Sequence, residues 1–323
     1  MGALKLLITG ANGFLGRACV MAALAQGHSV RALVRSAAVF PEGVEIVQGD
    51  LAEGCDAAWL TGIDAVIHTA ASVSNAPDAL ARDTLQATEK LIAAAAAAEK
   101  PPIMVLASSI AVYDADVSRA VDEASPIETL IRKREPYVGA KLAQEEALRA
   151  SSVRGWCLRI GALYGHDERR WNAHIGFKKG AILVSLERAG EVPLVDVADA
   201  AAAMICAAET APNDACEALN IVESALPSRA AFVASEHSGL HVPLHWRLLL
   251  PFAILTEAMI GARAPGLLRP RILRARMQPL SYPNARAIAR EGRARRDAGV
   301  RSSWCDAQRV EARAPWRRIA VRA

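Results

Sequence analysis

Short runs of apolar and β-branched residues alternate along the first half of the chain with longer stretches whose apolar positions recur at helical spacing. The short runs predict strands at Leu4 to Thr9, Ser29 to Val34, Val44 to Gln48, Ala65 to Thr69, Ile103 to Ala107 and Gly155 to Arg159. Between them, helices are predicted over Phe14 to Gln26, Pro77 to Glu99 and Pro136 to Ala150. Gly27 supplies the left-handed residue that ends the first, and proline opens the other two. Strand and helix in this order predict an α/β fold, a doubly wound parallel sheet built from βαβ units. Beyond about residue 165 the alternation becomes irregular, with breaks around Trp171, Pro227, Pro251 and Pro270. The expected organisation is a dinucleotide-binding core over 1–165, the last core elements plus a small C-terminal lobe over 166–284, and an Arg-rich, poorly ordered tail over 285–323.

Composition changes this picture little. Half of the 323 residues are apolar, enough for a full core. The net charge of +4 is local: residues 285 to 323 hold eleven Arg against four acids, which leaves the rest near −3 and excludes a nucleic-acid surface on the body. Six Cys, at 19, 55, 157, 206, 216 and 305, show neither zinc-site nor disulfide-framework spacing, so no metal is expected and a reducing cytoplasm fits. The opening MGALKLLITG lacks the pattern of a signal peptide. The most apolar stretch, Leu248 to Ile260, is too short to span a bilayer and at most touches a membrane surface.

The candidate chemistry begins at LLITGANGFLG, where Gly10, Gly13 and Gly16 fall between the first strand and the first helix. There Gly10 allows a tight turn, Gly13 lets backbone N–H groups approach a pyrophosphate, and Gly16 lets the helix pack closely. After the second strand the chain carries Arg35 and Ser36 where an acid would meet a ribose lacking the 2′-phosphate. A guanidinium there suits that phosphate, so NADP is favoured, NAD stays open, and a solvated Arg is the plainer alternative. Asp50 could accept from an adenine amino group or cap the next helix. Tyr137 and Lys141 lie one turn apart on one helix face, where the ammonium is expected to lower the phenol from its usual value of about 10. Ser109, with Ser108 beside it, ends the fifth strand at the sheet edge where ligands bind in such folds. His68 is expected to be packing, and His166 is unassigned.

Taken together, TGANGFLG, GDL (49–51), HTAA (68–71), SSIAVYD (108–114), YVGAK (137–141) and LRIGALYG (158–165) resemble the extended short-chain dehydrogenase/reductase family over roughly residues 3 to 290. The resemblance implies a seven-stranded Rossmann domain with a small substrate lobe. It also implies Tyr137 as general acid/base, Lys141 on the nicotinamide ribose, and Ser109 orienting the substrate. The cofactor set it gives is Gly10, Asn12, Gly13, Phe14, Leu15, Gly16, Arg35, Asp50, Leu51, Thr69, Ala70 and Ala71 with Tyr137 and Lys141. A homodimer through the helices at 77–99 and 136–150 is suggested.

Two departures bear on the substrate. Thr84-Leu-Gln-Ala-Thr88 stands where the family commonly has NxxGT, which puts a relay through that Asn in doubt. Gly190 to Asp196 lacks the Arg-Asp-aromatic pattern of nucleotide-sugar enzymes, so the chain looks more like the dihydroflavonol reductase and 3β-hydroxysteroid dehydrogenase branch. With Trp171, Phe177, Trp246 and Phe252 in the lobe, an apolar ketone, aldehyde or alcohol is the expected substrate of an NADP-dependent oxidoreductase. The alternatives are a nucleotide-sugar epimerase or dehydratase with tightly held NAD, and a non-catalytic dinucleotide sensor.

Overall fold

The structure, a computed structural model, describes residues 2–72, 74, 76–165 and 174–290. The chain runs β1 (Lys5–Thr9), α1 (Phe14–Ala25), β2 (Ser29–Val34), β3 (Glu45–Gln48), β4 (Ala65–His68), α2 (Pro77–Leu80), a π-helical turn (Ala81–Gln86), α3 (Ala87–Ala97), β5 (Ile103–Ser109), α4 (Pro136–Arg149) and β6 (Gly155–Ile160). There follow β7 (Ala162–Tyr164), β8 (Gly176–Lys179), β9 (Ile182–Ser185), β10 (Leu194–Asp196), α5 (Val197–Glu209), β11 (Cys216–Ile221), α6 (Arg229–Glu236), β12 (Leu240–Pro243), α7 (Trp246–Ile260) and α8 (Pro270–Met277). Residues 285–290 are helical, so the Arg-rich stretch expected to be unordered from 285 begins as structure: Ala287 is buried and Arg290 pairs with Glu217. Its remainder lies outside the described residues.

Seven strands form one parallel sheet in the order β11-β6-β5-β4-β1-β2-β3. Its inner strands are largely apolar because helices cover both faces. In β1, Leu6 and Ile8 join the core under α1 and α5, while Leu7 joins the opposite core with Leu91 of α3 and Leu148 of α4. All three are fully buried, each worth about 1.5–3 kcal/mol over an exposed side chain. Gly27 takes φ +80° at the end of α1, as its position predicts.

The order of strands reverses between β1 and β4, and a crevice opens there at their carboxyl ends. A smaller lobe closes it from the side. It contains the paired β7 and β10, the three-stranded sheet β12-β9-β8, and α6 to α8. The segment between β5 and α4 is fastened to α8 through Glu128, whose buried carboxylate accepts from both Arg134 and Arg271.

The helix expected to run unbroken over 77–99 is interrupted by the π-helical turn. That wider turn directs Arg82 to Asp50 and Glu53 at the end of β3, and Asp83 to Arg35 at the end of β2.

Candidate active site

Glycine is required at the first turn for steric reasons. Gly10 sits at φ +65°, and a Cβ on it would lie 2.7 Å from the Ala70 nitrogen. A Cβ on Gly16 would lie 2.1 Å from the Gly10 carbonyl oxygen, so the first helical turn is pressed onto the loop that precedes it. Gly13 donates its N–H to that same oxygen at 2.8 Å and caps α1, whose first turn holds no acid to neutralise its positive end.

One cavity of about 770 Å³ extends from this turn to the small lobe. Gly10, Gly13, Phe14, Leu15, Gly16, Thr69, Ala71, Ser109, Tyr137 and Lys141 all line it. Ala70 is just behind the wall, with its N–H on the Thr9 hydroxyl at 3.4 Å, and Thr69 donates to the Thr9 carbonyl at 2.7 Å.

At the floor, α4 and the end of β5 bring three side chains together. The Tyr137 phenol is hydrogen-bonded to Ser109, whose Oγ also accepts from the Ala111 N–H at 3.2 Å. Lys141 Nζ lies 5.8 Å from the Tyr137 ring centroid. It donates to the Ala107 carbonyl at 2.7 Å and to Gln144 Oε1 at 3.0 Å. Burial pushes Tyr137 above its ordinary value, and the Ser109 hydrogen bond only partly opposes this. The expected lowering by Lys141 is therefore not met. The ammonium is drawn toward Ala107 and Gln144, and burial lowers Lys141 itself to about 8 against a weaker pull from Glu145. Ser108 is committed elsewhere: its hydroxyl donates at 2.5 Å to the buried carboxylate of Glu145, which also accepts from Arg159.

Behind Lys141 a chain of buried polar groups continues inward. Gln144 Nε2 donates to Thr88 Oγ1 at 2.5 Å, and Thr88 meets His68 Nε2 at 2.9 Å. His68 Nδ1 meets Thr9 Oγ1 at 2.6 Å. Both ring nitrogens are thus engaged, and burial, with Lys141 nearby, lowers His68 to about 3, which keeps it neutral. Gln144 escaped the sequence reading, although it lies three residues beyond Lys141 and seven beyond Tyr137 on one helix face. Thr84, where the family has its Asn, accepts from the Ser72 N–H and does not reach Lys141's partners directly.

At the other end of the crevice the expected residues divide. Arg35 is mostly exposed and pairs with Asp83 at 3.2 Å. Asp50 feels burial, but hydrogen bonds from the Ala52 N–H and Arg82 hold it below the usual carboxylate value. Leu51 is buried in the core under α3 rather than on the cavity wall. The Asn12 side chain accepts from Arg17, which reaches the Val39 carbonyl and stacks on Phe40 in the loop after β2. Arg17 and Arg82 escaped the sequence reading because their neighbours come from distant segments.

At the lobe end, Phe177 and Phe252 are exposed, Trp246 is buried at the start of α7 against Leu273 and Met277 of α8, and Trp171 and His166 lie outside the described residues. Of the lobe's aromatics, Phe177, Trp246 and Phe252 are therefore not at the cavity. Its apolar wall comes instead from Ile110, Val121, Leu163, Leu194, Phe232 and Leu280. Arg134 and Arg276 border it too, but Arg134 is bonded to Glu128 and Glu135, and Arg276 to Glu135. Beside them Tyr164 donates to buried Glu223, whose carboxyl burial pushes up to about 7.

Among the described residues no cluster of potential metal ligands occurs, and no helix is long and apolar enough to cross a membrane.

Comparison with known proteins agrees with this layout. The family model for the NAD dependent epimerase/dehydratase family matches residues 6–221. The chain is 30% identical over 169 residues to dTDP-6-deoxy-L-talose 4-dehydrogenase (NAD(P)(+)) of Kitasatospora kifunensis, a match covering 50% of this chain and 53% of that protein. It is 30% identical over 227 residues to the 3-diazoavenalumate denitrifying reductase of a Streptomyces species, covering 64% and 73%. The chain thus spans about half the length of the first of these relatives and nearly three quarters of the second. Among solved structures, MoeE5 in complex with UDP-glucuronic acid and NAD superposes with a TM-score of 0.65 at 19% identity, covering 89% of this chain and 92% of that one, a likeness of fold. Two thirds of the chain therefore carries the family's pattern, on the family's sheet, and the chain belongs to the NAD dependent epimerase/dehydratase family.

Proposed function

We propose that the protein is an NADP-dependent oxidoreductase acting on a ketone, aldehyde or secondary alcohol of a mostly apolar small molecule. The observation that carries this is the meeting of Ser109, Tyr137 and Lys141 on the floor of the one cavity that also holds the glycine turn. The turn at Gly10 to Gly16 and the positive end of α1 fit a pyrophosphate: any side chain on Gly10 or Gly16 would collide with backbone, so the loop keeps its N–H groups close to the cleft. Arg35, with Arg17 beside the same loop, would hold a 2′-phosphate, Thr69 to Ala71 would line the dinucleotide, and Lys141 would hold the nicotinamide ribose. When bound, the nicotinamide supplies or accepts the hydride.

The chain's own part is the proton. Tyr137 gives a proton to the substrate oxygen in reduction and takes it back in oxidation, and Ser109 hydrogen-bonds that oxygen. Lys141, fixed by Ala107 and Gln144, keeps positive charge behind the phenol as its proton leaves. The apolar substrate is supported by the aliphatic wall and by the neutralised state of Arg134 and Arg276. Each faces a carboxylate already, and a diphosphate would have to displace it.

The description of the matching family favours a second reading, an epimerase or dehydratase that oxidises and re-reduces its substrate. Denaturing the purified protein, identifying released nucleotide by mass spectrometry, and titrating the protein with NADPH and NADH separates the two. An empty protein that prefers NADPH is the expected result. Stoichiometric retained NAD overturns it in favour of the second reading.

A further inference from the structure

The outer side of α7 is more apolar than its inner side. Leu248, Phe252, Leu255 and Met259 follow one another at helical spacing, and they are 66%, 64%, 59% and 75% exposed. Pro251, Ile254 and Ala258 fill the space beside them, also exposed. No side chain on this stripe forms hydrogen bonds, whereas the inner side, Trp246 and Ala253, packs on Leu273 and Met277 of α8.

Beside it, the small sheet exposes a second apolar face. In the register of β8, β9 and β12, Phe177, Val184 and Val242 share one row and Lys179, Ile182 and Leu240 the next, on the same face. Phe177, Ile182, Leu240 and Val242 are exposed, and Val184 is packed against the cluster that includes Leu249 and Leu250 of α7. Two neighbouring elements thus each leave a row of apolar side chains open to water, which monomeric proteins rarely do.

The charges around it have one sign. Residues 176–182 and 240–266 contain Lys178, Lys179, Arg247 and Arg263 against a single acid, Glu257, which faces Arg269. Of the carboxylates flanking these segments, Glu187 is held by the N–H groups of Arg188 and Ala189 and by His245, and Glu236 lines the cavity. Over residues 1–284 the chain is near −3, whereas these two segments carry +3, four cations against one acid.

We propose that α7 and the β12-β9-β8 face dock the protein on an anionic lipid bilayer, with the apolar stripe in the headgroup boundary and Lys179, Arg247 and Arg263 on lipid phosphates. A second copy meeting this face symmetrically would bring the same cations together, whereas anionic lipid answers them with opposite charge. The surface is also one helix from the cavity, since α8 turns Leu273 and Met277 to α7 and Ala275 and Arg276 to the cavity. The proposal stands on the surface itself and does not depend on which reaction the cavity performs.

Flotation of the full chain with vesicles tests it, using phosphatidylcholine alone and phosphatidylcholine containing a quarter phosphatidylglycerol, at low and high salt. The expected result is binding to the anionic vesicles that is at least about tenfold weaker without phosphatidylglycerol and is weakened by salt. The double variant F252E/M259E should lose it, and K179E/R247E should lose its lipid-charge preference. Both sites are exposed, and unchanged thermal unfolding and nucleotide affinity would show that the variants fold. Absence of vesicle binding, or binding that F252E/M259E leaves intact, overturns the proposal. So does a dimer that F252E/M259E splits, which would assign the surface to a second copy. A dimer through α3 and α4 would not respond to these substitutions.

Discussion

Gln144 accepts a hydrogen bond from Lys141 at 3.0 Å and passes one on to Thr88, so the ammonium at the floor of the cavity is held from behind by a fully buried amide. Replacing Gln144 by Leu removes the acceptor, and Lys141 is left with the Ala107 carbonyl alone. The expected effect is a fall in kcat of about tenfold or more with KM nearly unchanged, and an upward shift of the alkaline pKa of Tyr137 in the pH–rate profile. Gln144→Glu, which keeps the acceptor, should recover part of the rate. Equal loss in both variants would mean that Gln144 only packs.

Tyr137→Phe deletes the proton donor and leaves the cavity's shape. Turnover should fall by about 10²- to 10⁴-fold while NADPH affinity stays within about twofold, since a phenyl ring still fills the site. Steady-state rates beside a fluorescence titration give both quantities.

Burial lowers Lys141 from the usual lysine value of 10.5 to about 8 in the folded protein. Below pH 8 both folded and unfolded chains carry the proton, and the cost of burying it is constant. Between pH 8 and about 10 the folded state releases it first, so this group makes stability rise with pH there, by about 1.4 kcal/mol per unit at most. Lys141→Met removes the slope. Urea unfolding of both proteins from pH 7.5 to 10 should show the wild type gaining on the variant as pH rises.

Arg35→Ala should weaken NADPH binding by about 10- to 100-fold and NADH binding by less than about threefold, because a charge-assisted contact to the 2′-phosphate is worth about 1.5–3 kcal/mol. Paired calorimetric titrations check this. Equal losses for both nucleotides would assign Arg35 to its pair with Asp83 and nothing more.

Glu145 is buried among Ser108, Arg159 and Arg149. Truncating it to Ala strands the buried Arg159 without a counter-charge and should cost about 3–5 kcal/mol, readable as a lower urea midpoint at constant m value. Arg149→Ala, at the exposed edge of the same cluster, should cost less than about 1 kcal/mol.

Most of the sheet could be read in the sequence because parallel strands buried on both faces leave compact apolar runs. The ends of β2 match residue for residue, and those of β1 to within one. The seventh strand, β11, was not located, because Cys216-Glu-Ala-Leu-Asn-Ile mixes polar and apolar residues. Its polar side chains have partners that the sequence does not reveal: Glu217 takes Arg290 and Asn220 takes Tyr113. The π-helical turn was equally invisible, since its extra residue leaves the helical pattern of 77–99 intact. Of the site, the glycine turn and the Ser109, Tyr137 and Lys141 group were legible because each is set by spacing within one or two elements. The Leu51 side chain lies in the core, and nothing local tells a core leucine from a lining one. The direction of the Tyr137 shift was missed because it depends on burial, which a spacing of four residues does not report.

The wall opposite the glycine turn also sets how molecules arrive. Arg134 and Arg276 line the cavity there, and with Arg271 and Arg274 of α8 they face Glu128, Glu135, Asp114 and Asp116 across contacts no longer than 3.3 Å. Four cations and four anions at such range cancel within a few ångströms, and little field extends into solvent. A substrate coming to this mouth is sorted at contact, by shape and by what it can bury, instead of being steered from afar. Its capture rate should therefore be nearly indifferent to ionic strength, in a molecule whose α7 surface is strongly sensitive to it.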